Sequence, residues 1–299
     1  MSQPEVRIYE VGPRDGLQAE ATLVPLAAKL RYIDLLGAAG LRDIEATSLV
    51  RPDAIPQLAD ADQLLAGLER RPGVRYPVLV PNERGLARAV ASGVDAICLF
   101  TAATESYAQH NIRMSIAESL AAFAPVAQEA RRRGWWIRGY VSTAFGCPYE
   151  GEVEAAAVVR VAEALLALGV DELAISDTAG VAAPVDVTRV MEALAAAGIA
   201  TDALAFHFHD TRGTALANVL AAMERGARSF DAATGGTGGS PYAPGAAGNL
   251  ATEDLVYLLD RQGVRTDVDL SAVVAASRFI SEQLGHEPAS KVGRAGAWP

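Results

Sequence analysis

Residues 6–16, VRIYEVGPRDG, decide between the two folds open to this chain. Residues 6–10 form a short β-rich apolar run. An open, doubly wound sheet would more often leave that strand through a glycine-rich GxGxxG loop. Here it runs into Gly12-Pro13-Arg14-Asp15-Gly16 instead. Outward from this segment the alternation continues, with strands predicted at 43–45, 75–80, 96–100, 136–141, 172–175, 204–208 and 229–232. Helical periodicity falls between them, at 25–39, 82–92, 115–133, 153–168, 184–197 and 214–225, and again at 252–261. Gly40, Gly93, Gly134, Gly169, Gly198 and Gly226 stand where helices should stop before the next strand. Eight βα units predict an α/β fold, a (β/α)8 TIM barrel. One further helix, 270–284, packs outside it, so a barrel of about 5–263 and a C-terminal helical extension of about 268–299 make one domain.

The chain has 299 residues, of which 51% are hydrophobic and 21% charged, enough to bury a large core. No apolar run approaches the roughly 20 residues of a membrane-spanning helix. Residues 1–10 lack the basic, apolar and cleavage regions of a signal peptide. Twenty-six basic against 36 acidic residues give a net charge of −10, a poor footing for a phosphate backbone, so no nucleic-acid partner is expected. Cys98 and Cys147 are the only cysteines, too few for a disulfide framework or a four-thiolate zinc site. A reducing cytoplasm fits that usage.

In such a barrel the active site lies at the C-terminal ends of the strands. Arg14 and Asp15 follow the first strand, Glu45 closes the second, and Asp177 follows the sixth. His207 and His209 close the seventh, and a glycine-dense stretch, 235–249, follows the eighth. His207-Phe208-His209 is the sharpest signal. Residues i and i+2 of a strand share a face, roughly 7 Å apart, so both imidazoles can converge on one ion. Carboxylate and amide oxygens completing the site suit Mg²⁺ or Mn²⁺, with Zn²⁺ also open. Arg14 and Asp15 could instead be a salt bridge closing the mouth, and Asp177 could merely cap the next helix. The glycine-dense stretch reads as a lid, or as a backbone wall that a ligand approaches closely.

These segments resemble the 3-hydroxy-3-methylglutaryl-CoA lyase family. The likeness is carried by EVGPRDGLQ (10–18), IEATS (44–48), PQLAD (56–60), residues 111–120, RGYVS (138–142), GCPYEG (146–151), DTAG (177–180), HFHDT (207–211) and GAAGNLATEDLVYLL (245–259). The resemblance implies that Asp15, His207, His209 and Asn249 hold a divalent cation. It makes Arg14 the stabiliser of a thioester enolate, with Glu45 and Asp177 organising the polar site. Arg14, Gln18, Gly238 and Gly239 would contact the substrate. The implied reaction is retro-Claisen cleavage of an acyl-CoA to acetyl-CoA and acetoacetate, with Asp15 or His207 as proton acceptor. A homodimer is also implied.

The chain departs from that pattern at the glycine-rich loop, where Ser240 stands in place of a reactive cysteine as proton donor. A thiol titrates near ~8.5 and a serine hydroxyl is far less acidic. Ala21 and Asp53 replace frequent lysines, and Thr143 a frequent cysteine. Two other readings share the H-x-H strand or the metal site: a Claisen-condensing synthase or aldolase acting on a 2-oxoacid, and a catalytically weak barrel that binds metal and a CoA metabolite.

Overall fold

The computed structural model describes residues 6–238 and 248–296. Its strands are β1 (Arg7–Glu10), β2 (Asp43–Ile44), β3 (Thr47–Ser48), β4 (Val78–Leu79), β5 (Ala96–Ala102), β6 (Trp136–Ser142), β7 (Glu172–Asp177), β8 (Leu204–Phe208) and β9 (Ser229–Ala232). All pair in parallel in one sheet, in the order β2-β1-β9-β8-β7-β6-β5-β4-β3. β2 and β3 are two halves of one barrel position, and they close the sheet on itself. The Glu45 N–H donates to the Glu10 carbonyl on one side at 2.8 Å, while the Ala46 N–H donates to that of Pro77 on the other at 2.9 Å. Eight positions therefore ring the axis, as the alternation predicts.

The helices outside are α1 (Leu26–Ala38), α2 (Ala61–Gly67), α3 (Glu83–Ala91), α4 (Glu105–Ile112), α5 (Ile116–Arg132), α6 (Ala155–Ala167), α7 (Pro184–Ala196), α8 (Ala215–Glu224), α9 (Thr252–Arg261), α10 (Leu270–Leu284) and α11 (Lys291–Ala295). Their buried faces carry residues at spacings of three and four, such as Val158, Val161, Ala162 and Leu165 of α6. α5 starts on a capping box: the Ser115 hydroxyl accepts from the Glu118 N–H, and the Glu118 carboxylate accepts from the Ser115 N–H. None of the described helices is long and apolar enough to cross a membrane.

Three expectations need correction. Glu45 does not close a strand; it sits at the break between β2 and β3, where the chain changes its pairing partner. The strand expected over 75–80 shrinks to Val78–Leu79, because Pro77 has no N–H for the ladder. Helix α2, the short helix of the second βα unit, and α4, a short insert before α5, were not foreseen.

Between the sheet and the helices lies a large apolar core. The barrel interior is different. Tyr9, Val11, Cys98, Tyr140, Ala174 and Ala233 pack there, together with the wholly buried Arg138 and Asp231. Cys98 is a buried thiol 3.1 Å from the Tyr9 hydroxyl, and burial pushes its pKa well up.

Candidate active site

Residues Gly12–Gly16 leave β1 as a single π-helical turn. Three N–H groups, those of Arg14, Asp15 and Gly16, converge on the Val11 carbonyl at 3.2, 2.8 and 3.1 Å. The turn puts Arg14 and Asp15 over the barrel mouth. Arg14 Nε and Nη2 donate to the two Glu45 oxygens at 2.7 and 3.2 Å, and Nη1 donates to Asp15 Oδ1 at 2.7 Å. Burial alone would disfavour the guanidinium, but Glu45 and Asp15 outweigh it and keep Arg14 charged. The salt-bridge reading of Arg14–Asp15 is thus correct as geometry, and it leaves two of the five guanidinium N–H bonds outside these contacts.

His207 is the inward-facing residue near the end of β8, and His209 lies just beyond the strand, bridged to Asn249. Their Nε2 atoms are 3.1 Å apart, and His207 Nε2 is 3.9 Å from Asp15 Oδ2. One ligand atom from each of Asp15, His207 and His209 lies within 4.8 Å of the others. Neighbouring ligands around a cation bound at ~2.1 Å sit about 3.0–3.5 Å apart, so these separations need little adjustment to hold one. Asn249 lies beside them as a fourth candidate donor. Its Nδ2 donates to Asp15 Oδ2 and to the Thr237 carbonyl, both at 3.0 Å. Its Oδ1 is buried without a hydrogen-bond partner among the described residues. A buried orphan oxygen beside two imidazoles and a carboxylate is what a hard or borderline divalent cation would satisfy. The donors present fit such an ion.

Burial would raise the Asp15 carboxyl, yet Arg14, the two histidines and the Asn249 hydrogen bond together hold it at about 2. Gln18 Nε2 donates to Asp15 Oδ1 at 3.1 Å, so Gln18 belongs to this cluster. Asp177 is also buried at the mouth, but its two oxygens accept the Val181 and Ala182 N–H groups at 3.0 Å each. That is the structural use expected of an acid before a helix. Burial raises its carboxyl above the ordinary value. Gly238 sits at φ +90° against Asn249 and the Asp15 backbone. Gly239 and Ser240, expected as wall and proton donor, lie outside the described residues. Thr143 is buried at φ +55°, its hydroxyl 3.1 Å from that of Thr104, which in turn donates to Cys147 Sγ at 3.2 Å. Asp53 is exposed beside Arg51.

Sequence reasoning missed the layer beneath. Asp231 Oδ2 lies 3.0 Å from His207 Nδ1, and Arg138 grips Asp231 at 2.5 and 3.1 Å. Burial would raise the Asp231 carboxyl, but Arg138 and His207 hold it below its ordinary value. Arg138 Nη1 also donates to the Tyr140 hydroxyl at 3.2 Å, and that hydroxyl donates to Glu45 Oε2 at 2.5 Å. An acid and an arginine at inward positions of otherwise apolar barrel strands were the available signal.

The HMGL-like family matches residues 5–280. The chain is 46% identical over 291 residues to the mitochondrial hydroxymethylglutaryl-CoA lyase of Mus musculus, covering 97% of this chain and 89% of that protein. The crystal structure of the Bacillus subtilis HMG-CoA lyase superposes with a TM-score of 0.95 at 44% identity, covering 99% of each chain. An HMG-CoA lyase from Acinetobacter baumannii, solved in complex with coenzyme A and 3-methylmalate, gives 0.93 at 40% identity, covering 98% of this chain and 97% of that one. With the barrel, the Asp15–His207–His209 cluster and near full-length identity in agreement, the chain belongs to the HMGL-like family and is a carbon–carbon lyase.

Proposed function

We propose that this lyase cleaves 3-hydroxy-3-methylglutaryl-CoA, or a close 3-hydroxyacyl-CoA, to acetyl-CoA and acetoacetate or the matching oxoacid. The observation that carries the reading is the convergence of Asp15, His207, His209 and the orphan Asn249 oxygen beside a charged Arg14. A bound Mg²⁺ or Mn²⁺ would act there as a Lewis acid that makes the substrate's hydroxyl easier to deprotonate. Arg14, locked by Glu45 and Asp15, would direct its remaining N–H donors at the oxygen that gains charge as the C–C bond breaks. Held at about 2, Asp15 is a permanent anion and a weak base, which favours a ligand role over that of proton acceptor. Glu45 would orient Arg14 from below, and Gln18 would orient Asp15. Asp177 would shape the mouth through the loop it ties. Gly238 and Gly239 would let backbone approach the thioester, and Ser240 would occupy the place of the proton donor. The relative solved with coenzyme A supports an acyl-CoA partner. A cytoplasmic homodimer belongs to the same proposal, and sedimentation would test the oligomer.

The test is turnover. Metal-depleted protein should release no acetoacetate from hydroxymethylglutaryl-CoA, and Mn²⁺ or Mg²⁺ should restore it in the wild type but not in His207→Ala. Activity that appears only in Ser240→Cys would place the defect at the loop hydroxyl. Silence of wild type and Ser240→Cys with either metal would reject this substrate.

A further inference from the structure

Beneath the cation ligands, the structure draws an unbroken polar line down the barrel. His207 Nδ1 meets Asp231 Oδ2 at 3.0 Å. Asp231 takes two hydrogen bonds from Arg138, Nη2 to Oδ1 at 2.5 Å and Nη1 to Oδ2 at 3.1 Å. Arg138 Nε pairs with Glu172 at 2.9 Å, and Glu172 pairs with Arg7 at the far end of the barrel. Arg138 is wholly buried and Asp231 is 1% exposed, so neither can exchange partners with water. A carboxylate clamped in this way only accepts hydrogen bonds, and the one nitrogen facing it must therefore donate.

We propose that Asp231, clamped by Arg138, is a positioning residue that fixes His207 in the Nδ1–H tautomer and so presents its Nε2, bare, to the cation. The inference rests on the metal reading above. It goes further by making the two imidazoles unequal. With His207 Nε2 bare, the 3.1 Å contact between the histidines requires His209 Nε2 to carry the hydrogen in the metal-free protein. His207 is then preset, and His209 is the ligand that must rearrange when a cation enters. The carboxylate orders the ring in the way that second partners order imidazole ligands generally.

Asp231→Asn breaks this logic without changing shape. If the amide oxygen faces Arg138 Nη2, the amide NH₂ faces both Arg138 Nη1 and His207 Nδ1, and the ring must move its hydrogen to Nε2. If the amide is turned over, its NH₂ opposes the Arg138 donor at 2.5 Å. Both arrangements place one donor against another. Removing a partner of this kind costs roughly 10- to 100-fold in metal affinity.

Titration of wild type, Asp231→Asn and Glu172→Gln with Mn²⁺, alongside long-range ¹H–¹⁵N correlation of the imidazoles with and without Mg²⁺, tests the proposal. The His207 signals are assigned by their loss in His207→Ala. The wild type is expected to show His207 protonated at Nδ1 in both states. Asp231→Asn is expected to bind Mn²⁺ about 10- to 100-fold more weakly, with the His207 hydrogen on Nε2 if the amide NH₂ faces the ring and the ring no longer held by a clamped acceptor if the amide is turned over. Glu172→Gln loosens Arg138 without touching Asp231, and its Mn²⁺ affinity should stay within about twofold while its melting temperature falls. A folded Asp231→Asn with wild-type affinity, or Nε2–H at His207 in the wild type, overturns the proposal. Should Asp231→Asn fail to fold, the wild-type tautomer alone decides in the same sense. A wild type that binds no Mn²⁺ defeats the metal reading and this inference together, whereas equal binding by wild type and variant defeats only the inference.

Discussion

Glu10, the last residue of β1, accepts four hydrogen bonds although no water reaches it. Its Oε1 takes the Gly12 and Thr234 N–H groups, each at 2.9 Å, and Oε2 takes the hydroxyls of Thr234 and Thr252 at 2.8 and 2.6 Å. It thereby ties the turn bearing Arg14 and Asp15 to the base of the glycine-rich stretch. Burial pushes its carboxyl up to about 7, against the pull of those donors. A carboxyl raised above the unfolded value of ~4.3 stabilises the fold fully below that pH, and the contribution fades as pH climbs through the folded value. Glutamine fits the same pocket, because its oxygen can keep the two N–H donors while the threonine hydroxyls turn to accept its NH₂. Glu10→Gln should therefore fold, and between pH 5 and 8 the wild type should lose up to about 3 kcal/mol of stability relative to it. Urea unfolding of both proteins at the two pH values measures this. Parallel losses would show that Glu10 does not titrate there.

At the scale of elements, the π-helical turn at Gly12–Gly16 and the backbone at Gly238 are built to touch. A Cβ on Gly238 would lie 2.7 Å from Asn249 Nδ2 and 3.0 Å from the Asp15 carbonyl, at a φ of +90° that L side chains resist. Gly198, after α7, has a φ of +81° with nothing within 4 Å of such a Cβ. Alanine at both sites costs similar backbone strain, about 1 kcal/mol. Only Gly238→Ala should also weaken Mn²⁺ binding, by about tenfold or more, and calorimetric titration of the two variants separates strain from displacement of Asn249. Equal Mn²⁺ affinities would show that the turn and the loop are independent. Elements of this scale were unevenly legible. The regular helices could be read to within about a residue or two, as with α10, because a buried face writes itself at spacings of three and four. Residues 43–48 and 75–80 could not, since a strand that changes partner at Glu45 and another interrupted by Pro77 leave no alternation to read. His207 and His209 were legible from their own spacing at the end of β8. Asn249 entered through family resemblance alone, and the pairing of Arg138 with Asp231, 93 positions apart, leaves no local trace.

Across the whole molecule, polar chemistry is segregated along the barrel axis. At the N-terminal end Arg7, Arg75 and Asp43 form ion pairs, and both arginines lie over Trp136. Glu172, Arg138 and Asp231 fill the middle, and the ligand cluster sits on top. Bottom-face charge of this kind reads as support, and top-face charge as chemistry. On the proposed reading, a single divalent cation sits where Asp15, His207, His209 and Asn249 converge. Crystals soaked in Mn²⁺ test it most directly, through anomalous scattering. One strong anomalous peak is expected within about 2.0–2.4 Å of His207 Nε2, His209 Nε2, an Asp15 oxygen and Asn249 Oδ1, absent from His207→Ala crystals. No peak there in the wild type, or one that survives in His207→Ala, would contradict it.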